Sequence, residues 1–139
     1  MSADGLIVVQ SSHGPAETMD RLVAEIKAKG LTVFARIDHA SAAEEVGLPL
    51  RPTELVIFGN AKGGTPLMQS NQEIGLDLPL KALVWQDGSS VTWISYNDPA
   101  WLAKRHGLGH EVESPVKAMT ALLGAVTRAA AAAIQGTVV

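Results

Sequence analysis

The residues with most to offer chemically are a lysine set among glycines, Gly59-Asn60-Ala61-Lys62-Gly63-Gly64-Thr65-Pro66. Leu55-Val56-Ile57-Phe58 runs into them as an unbroken apolar stretch, the pattern of a strand buried on both faces. The glycines end that strand and favour a turn. Thr65 stands where a helix N-cap belongs, with Pro66 at the first helical position. A helix start presents free N–H groups and partial positive charge, and Lys62 adds a full charge. That combination suits a phosphate or carboxylate held by Gly59, Asn60, Lys62, Gly63, Gly64 and Thr65. It is not a P-loop, because Lys62 precedes the glycine pair. A plainer reading accounts for the same residues: the glycines make a turn and Thr65 only caps a helix.

Other polar groups gather at element ends. Asp38-His39 sets a carboxylate beside an imidazole, which suits acid/base or metal chemistry. Neighbouring strand residues point to opposite faces, however, and Asp38 also reads as the cap of a following helix. Asn97-Asp98-Pro99 closes a strand, so Asn97 and Asp98 either line a site or cap the helix that Pro99 opens. In a meander, Asn60 and Asn97 share one edge and Asp38 lies at the other, which divides any site needing all three. His106 and His110 have a metal-like spacing, but Gly107 and Gly109 break the helix that would align them. His13, beside Gly14-Pro15, reads as a surface turn residue. Trp85, Trp93, Trp101 and Tyr96 suit either a planar ligand or packing and dimer contacts. Glu44-Glu45 reads as a solvated face. With no cysteine and no Gly-x-Ser-x-Gly elbow, nucleophilic catalysis has little support.

These groups need a scaffold. Leu6 to Gln10 reads as a strand, and Pro15 to about Lys29 as a helix closed by Gly30. Met19, Leu22, Val23 and Ile26 form its buried stripe. In the strand Leu31 to Asp38, period 2 puts Val33, Ala35 and Ile37 on one face, Phe34 and Arg36 on the other. A short helix ends at Gly47, and Leu48 to Pro52 is extended. After the glycines come a helix from Pro66 to about Gln72 and a strand from Leu80 to Gln86. Asp87-Gly88 signals a hairpin, and Val91 to Tyr96 returns. The simplest register sets Gln86 against Val91 and Val84 against Trp93. Both hairpin faces are apolar: helices can cover one, and the other needs more chain, a ligand or another subunit. The last helix opens at Ser114-Pro115, with Val116, Met119, Leu122, Leu123, Val126, Ala130, Ala133 and Ile134 as its stripe, and extends to about residue 135.

The chain has 139 residues, enough for one domain, and is 47% hydrophobic, enough for a core. Eleven Lys+Arg against fourteen Asp+Glu leave a net charge of −3, which argues against a nucleic-acid partner. Leu6 to Val9 is too short for a signal peptide and lacks a basic flank, and no uncharged stretch approaches a membrane span. The expectation is a cytoplasmic protein with no membrane partner.

Several segments are familiar in combination: Ile37-Asp38-His39-Ala40, Arg51-Pro52-Thr53, Phe58-Gly59-Asn60, Lys62, Gly64-Thr65-Pro66-Leu67-Met68, Leu78-Pro79-Leu80-Lys81 and Tyr96-Asn97-Asp98-Pro99. Through them the chain resembles an uncharacterised, mainly prokaryotic family, number 302 in the domain-of-unknown-function series. Ala61 stands where that family is expected to have proline. The resemblance implies a single α+β domain with an antiparallel sheet in the order β-α-β-β-β-β-α, short inserted helices, a TATA-binding-protein-like architecture and homodimers. It implies no activity and no cofactor, and fold alone does not carry DNA binding across.

Three functions remain open. The first is a homodimeric module holding a small anionic ligand at Gly59 to Thr65, with Asn97 nearby. The second is an assembly domain using the free sheet face. The third is an acid/base or metal-assisted enzyme using Asp38, His39 and Asn97 or Asp98.

Overall fold

The computed structural model describes residues 3–134. Its apolar segments become five strands: β1 (Leu6–Ser11), β2 (Thr32–Asp38), β3 (Thr53–Gly59), β4 (Leu80–Gln86) and β5 (Thr92–Asn97). They form one antiparallel sheet ordered β1-β5-β4-β3-β2. The chain meanders from β2 to β5, and β1 adds itself beside β5. Five α-helices intervene: α1 (Pro15–Ala28), α2 (His39–Glu45), α3 (Ala61–Ser70), α4 (Pro99–Arg105) and α5 (Glu113–Ala131). Short 3-10 turns lie at Gln72–Asp77 and His110–Val112. This is the α+β order expected, with α2 to α4 inserted.

The core forms where two periods meet. Met19, Leu22 and Ile26 of α1, and Met119, Leu123, Val126 and Ala130 of α5, repeat at helical spacing and are buried. They pack on Val56, Phe58, Ala82, Val84, Ile94 and Tyr96, which alternate along three strands and share one sheet face. The other face carries Leu55, Ile57, Leu83, Trp85 and Trp93, which remain partly exposed. β3 is therefore covered on one face, not both.

Two register details differ from simple alternation. β2 slips by one residue around Phe34: Val33 lies opposite Phe58, but Ala35 lies opposite Ile57. Val33 thus joins the helix-covered face, while Ala35 and Ile37 join the free one. In the β4–β5 hairpin, Trp85 faces Trp93 and Val84 faces Ile94, one residue away from the simplest register. The cause is Asp87. Its carboxylate accepts from Ser89 N, Val91 N and Trp93 Nε1 at 2.9, 3.0 and 2.8 Å. The Trp93 bond, and next the Val91 bond, hold its carboxyl below the ordinary value. The turn is wider than the two-residue form that Asp-Gly suggests, with Ser90 at φ +63°.

The ends of the helices are held by side chains. Arg21 of α1 donates to the carbonyls of Ala129, Ala130 and Ala132, and His13 Nε2 donates to Ala132 O at 2.7 Å. These bonds satisfy the last turn of α5, where carbonyls lack helical partners. The helix stops at Ala131, so Ala133 and Ile134 leave the stripe and are exposed. Residue 135, the expected helix limit, lies outside the described residues.

Candidate functional site

β3 runs out of sheet at Gly59, and a new helix begins two residues later. The cap is Asn60, not Thr65. Asn60 Oδ1 accepts from Gly63 N at 2.8 Å, and its carbonyl accepts from Gly63 N and Gly64 N. Asparagine caps at least as well as threonine, so the first available cap begins the helix. Gly63 and Gly64 therefore lie inside α3 rather than in a loop. Pro66 is interior too. It removes one helical bond, to Lys62 O, close to the exposed helix start where water can replace it. The amides of Ala61 and Lys62 find no acceptor among the described residues. Lys62 is exposed and makes no ion pair among them.

Beside this helix start is a cleft of about 360 Å³. Gly59, Asn60, Ala61, Gly63, Gly64, Thr65 and Met68 form one wall. Leu31 and Phe34 form a second, Gly75 to Leu80 contribute Gly75, Leu78, Pro79 and Leu80, and Met119 and Leu122 come from α5. The surface is mainly apolar. Phe34 is 57% exposed, unusual for a large aromatic side chain. Two other depressions, beside Leu48–Arg51 and beside α4, are more open to solvent.

A small polar cluster supports the third wall. Asp77, at the end of the 3-10 turn, accepts two bonds from Arg105 Nη1 at 3.1 and 2.9 Å, and one from His106 Nε2 at 2.5 Å. Asn71 Nδ2 donates to His106 O at 2.8 Å. These bonds tie the segment carrying Gly75 and Leu78 to the end of α4. The Asp77–His106 bond is sheltered and fixes position more firmly than the bonds to Arg105, whose side chain is 48% exposed.

The remaining candidates disperse. Lys62 and Asn97 do not line the cleft. Asn97 shares the sheet end with Asn60, but two strands away, about 10 Å at ordinary spacing. Asp38 sits at the opposite end, where Oδ1 accepts from Ser41 N at 2.9 Å and caps α2. The Ser41 bonds hold its carboxyl below the ordinary range. His39 is exposed on α2. Asp98 caps α4 through Ala100 N. Neither Asp38 nor His39 meets Asn97 or Asp98. His110 is exposed, 3.5 Å from Glu113. The described residues contain no cluster of three or more His, Cys, Asp or Glu placed to hold a metal. Trp85 and Trp93 stack with centroids 6.3 Å apart, and Tyr96 is in the core. The residues missed by sequence reasoning are apolar: Phe34, Met68, Leu78, Met119 and Leu122. Their one signal was large apolar character, which the core also explains.

The chain is 53% identical over 127 residues, 91% of its length, to proteins called "Fluoride-specific ion channel FluC 1" in Brucella suis biovar 1 and "Fluoride-specific ion channel FluC 2" in Brucella melitensis biotype 1. The matched part is 50% and 47% of those proteins, so the chain spans about half the length of the curated relatives it matches. The crystal structure of an uncharacterized conserved protein DUF302 from Bacillus stearothermophilus superposes with a TM-score of 0.81 at 22% identity, covering 92% of this chain and 99% of that one. That likeness is one of fold. Residues 7–126 match the family described as "Domain of unknown function DUF302", and the chain belongs to it.

Proposed function

We propose that the chain is a small-molecule-binding module. The ligand's apolar body occupies the cleft, and its negative end meets the start of α3 beside Lys62. The observation that carries this reading is a concave apolar space of about 360 Å³ next to two amides that have no acceptor among the described residues. Small-ligand sites typically run from about 300 to 1,000 Å³ and join apolar walls to a few polar groups. The small anion suggested by Lys62 and the glycines thereby gains an apolar portion, since bare phosphate would leave the walls in water. No described helix is long and apolar enough to cross a membrane. We assign ion conduction in the curated relatives to their other half, and to this domain a ligand-responsive role in the cytoplasm. Thermal unfolding tests the site. Carboxylates with apolar bodies should raise Tm saturably, by more than phosphate, nucleotides or fluoride. Lys62→Ala should reduce the rise. No rise with any apolar carboxylate would remove the proposal, and an unchanged rise in Lys62→Ala would remove the lysine from it.

The free sheet face favours a second reading, homodimerisation. Leu55, Ile57, Leu83, Trp85 and Trp93 present an apolar surface that the core helices leave uncovered. Sedimentation over a dilution series should show a dimer, and Leu83→Glu should shift it to monomer. A monomer at every concentration would exclude that reading.

A further inference from the structure

We infer that the cleft takes a flat occupant: an aromatic carboxylate whose ring lies against the bare backbone of Gly63 and Gly64. The inference rests on the binding-module reading above and narrows its ligand class. Gly63 and Gly64 are the third and fourth residues of α3, and neither has a positive φ. Glycine inside a helix weakens it about fivefold relative to alanine, so two in succession need a reason. Packing does not supply one. A Cβ at Gly63 would rest 3.5 Å from Asn60 Oδ1 and Met119 Cε. One at Gly64 would rest 3.6 Å from Leu78 Cδ1 and 3.8 Å from Met68 Cε. These are ordinary contacts. The methyl groups would fit the apo protein and fill part of the cleft wall.

The two glycines therefore keep an apolar space open at the expense of helix stability. What they expose is a smooth stretch of peptide surface, which a ring can approach more closely than any side-chain-covered helix allows. Met68 and Met119 also line the space, and thioethers make favourable contacts with ring edges. At the helix start, Lys62, which has no ion pair among the described residues, and the amides of Ala61 and Lys62 complement a carboxylate. A globular body of similar volume would meet the same charge but could not lie against the glycine surface.

The experiment compares 1-naphthoate with adamantane-1-carboxylate by calorimetry, on the full chain and on Gly63→Ala and Gly64→Ala, alongside apo Tm. The expected result has three parts. Wild type binds 1-naphthoate about tenfold or more tighter than adamantane-1-carboxylate. Both alanine variants melt higher than wild type without ligand. Both bind 1-naphthoate about tenfold or more weakly. A lower apo Tm would show that the fold itself needs the glycines and would overturn the inference. So would unchanged naphthoate affinity in the variants, or equal affinity of wild type for the two carboxylates. In those cases the binding module survives with a different ligand shape. Wild type that binds neither carboxylate overturns this inference, and the panel of apolar carboxylates then decides the module itself.

Discussion

Phe58→Ala is expected to lower the unfolding free energy by about 3–5 kcal/mol. Phe58 is fully buried and stands on the helix-covered face of β3. Val33 lies opposite it on β2 and Leu80 opposite it on β4. Removing the ring takes away its transfer free energy and leaves a cavity that a five-stranded sheet cannot collapse to fill. Whole domains are stable by only about 5–15 kcal/mol, so the loss would be a large share of the total. Urea denaturation with an unchanged m-value measures it. Phe34→Ala is the control: that ring is 57% exposed and its loss should cost far less. Equal losses for the two would mean that the core is not centred on β3.

Gly5→Ala should destabilise by about 2–4 kcal/mol, through two added effects. Gly5 has φ +76°, a left-handed conformation that a side chain disfavours. A Cβ there would stand 2.2 Å from Trp101 Cδ2 and 2.4 Å from Trp101 Cγ, so the indole must move. It has little freedom to do so, because Trp101 lies on α4 and packs against the core. Gly5 also fixes the start of that helix, its carbonyl accepting from Asp98 N at 2.7 Å. A double-mutant cycle with Trp101→Ala separates the effects. If the clash dominates, the pair should destabilise by clearly less than the sum of the single changes. Additive losses would leave backbone strain as the only cause.

The order and type of the main elements were legible because they follow from local chemistry. Met19, Leu22 and Ile26 announce α1, and Gly30 with φ +76° ends it. Alternating strand ends in a meander place Asn60 and Asn97 at one end of the sheet and Asp38 at the other, as observed. What was not legible depends on choices that a period cannot express. Asn60 and Thr65 are both good caps, and only the geometry after Gly59 decides between them. The slip at Phe34 involves a single residue and reverses the facing of everything after it. The hairpin register follows from three bonds to one Asp87 side chain. The cleft was invisible for another reason: its walls come from segments far apart in the chain, and each apolar residue reads as core when considered alone.

The position of β1 carries a consequence for how the molecule assembles. Leu6 pairs with Asn97, across a loop of roughly ninety residues, whereas β2 to β5 pair with their neighbours in the chain. Closing so long a loop makes β1 the entropically costliest strand to recruit, and topologies of this kind fold slowly. Until β1 docks, the backbone of β5 is a naked template for any passing strand. Docking of β1 seals that side of β5 and moves the open edge of the sheet to β1 itself.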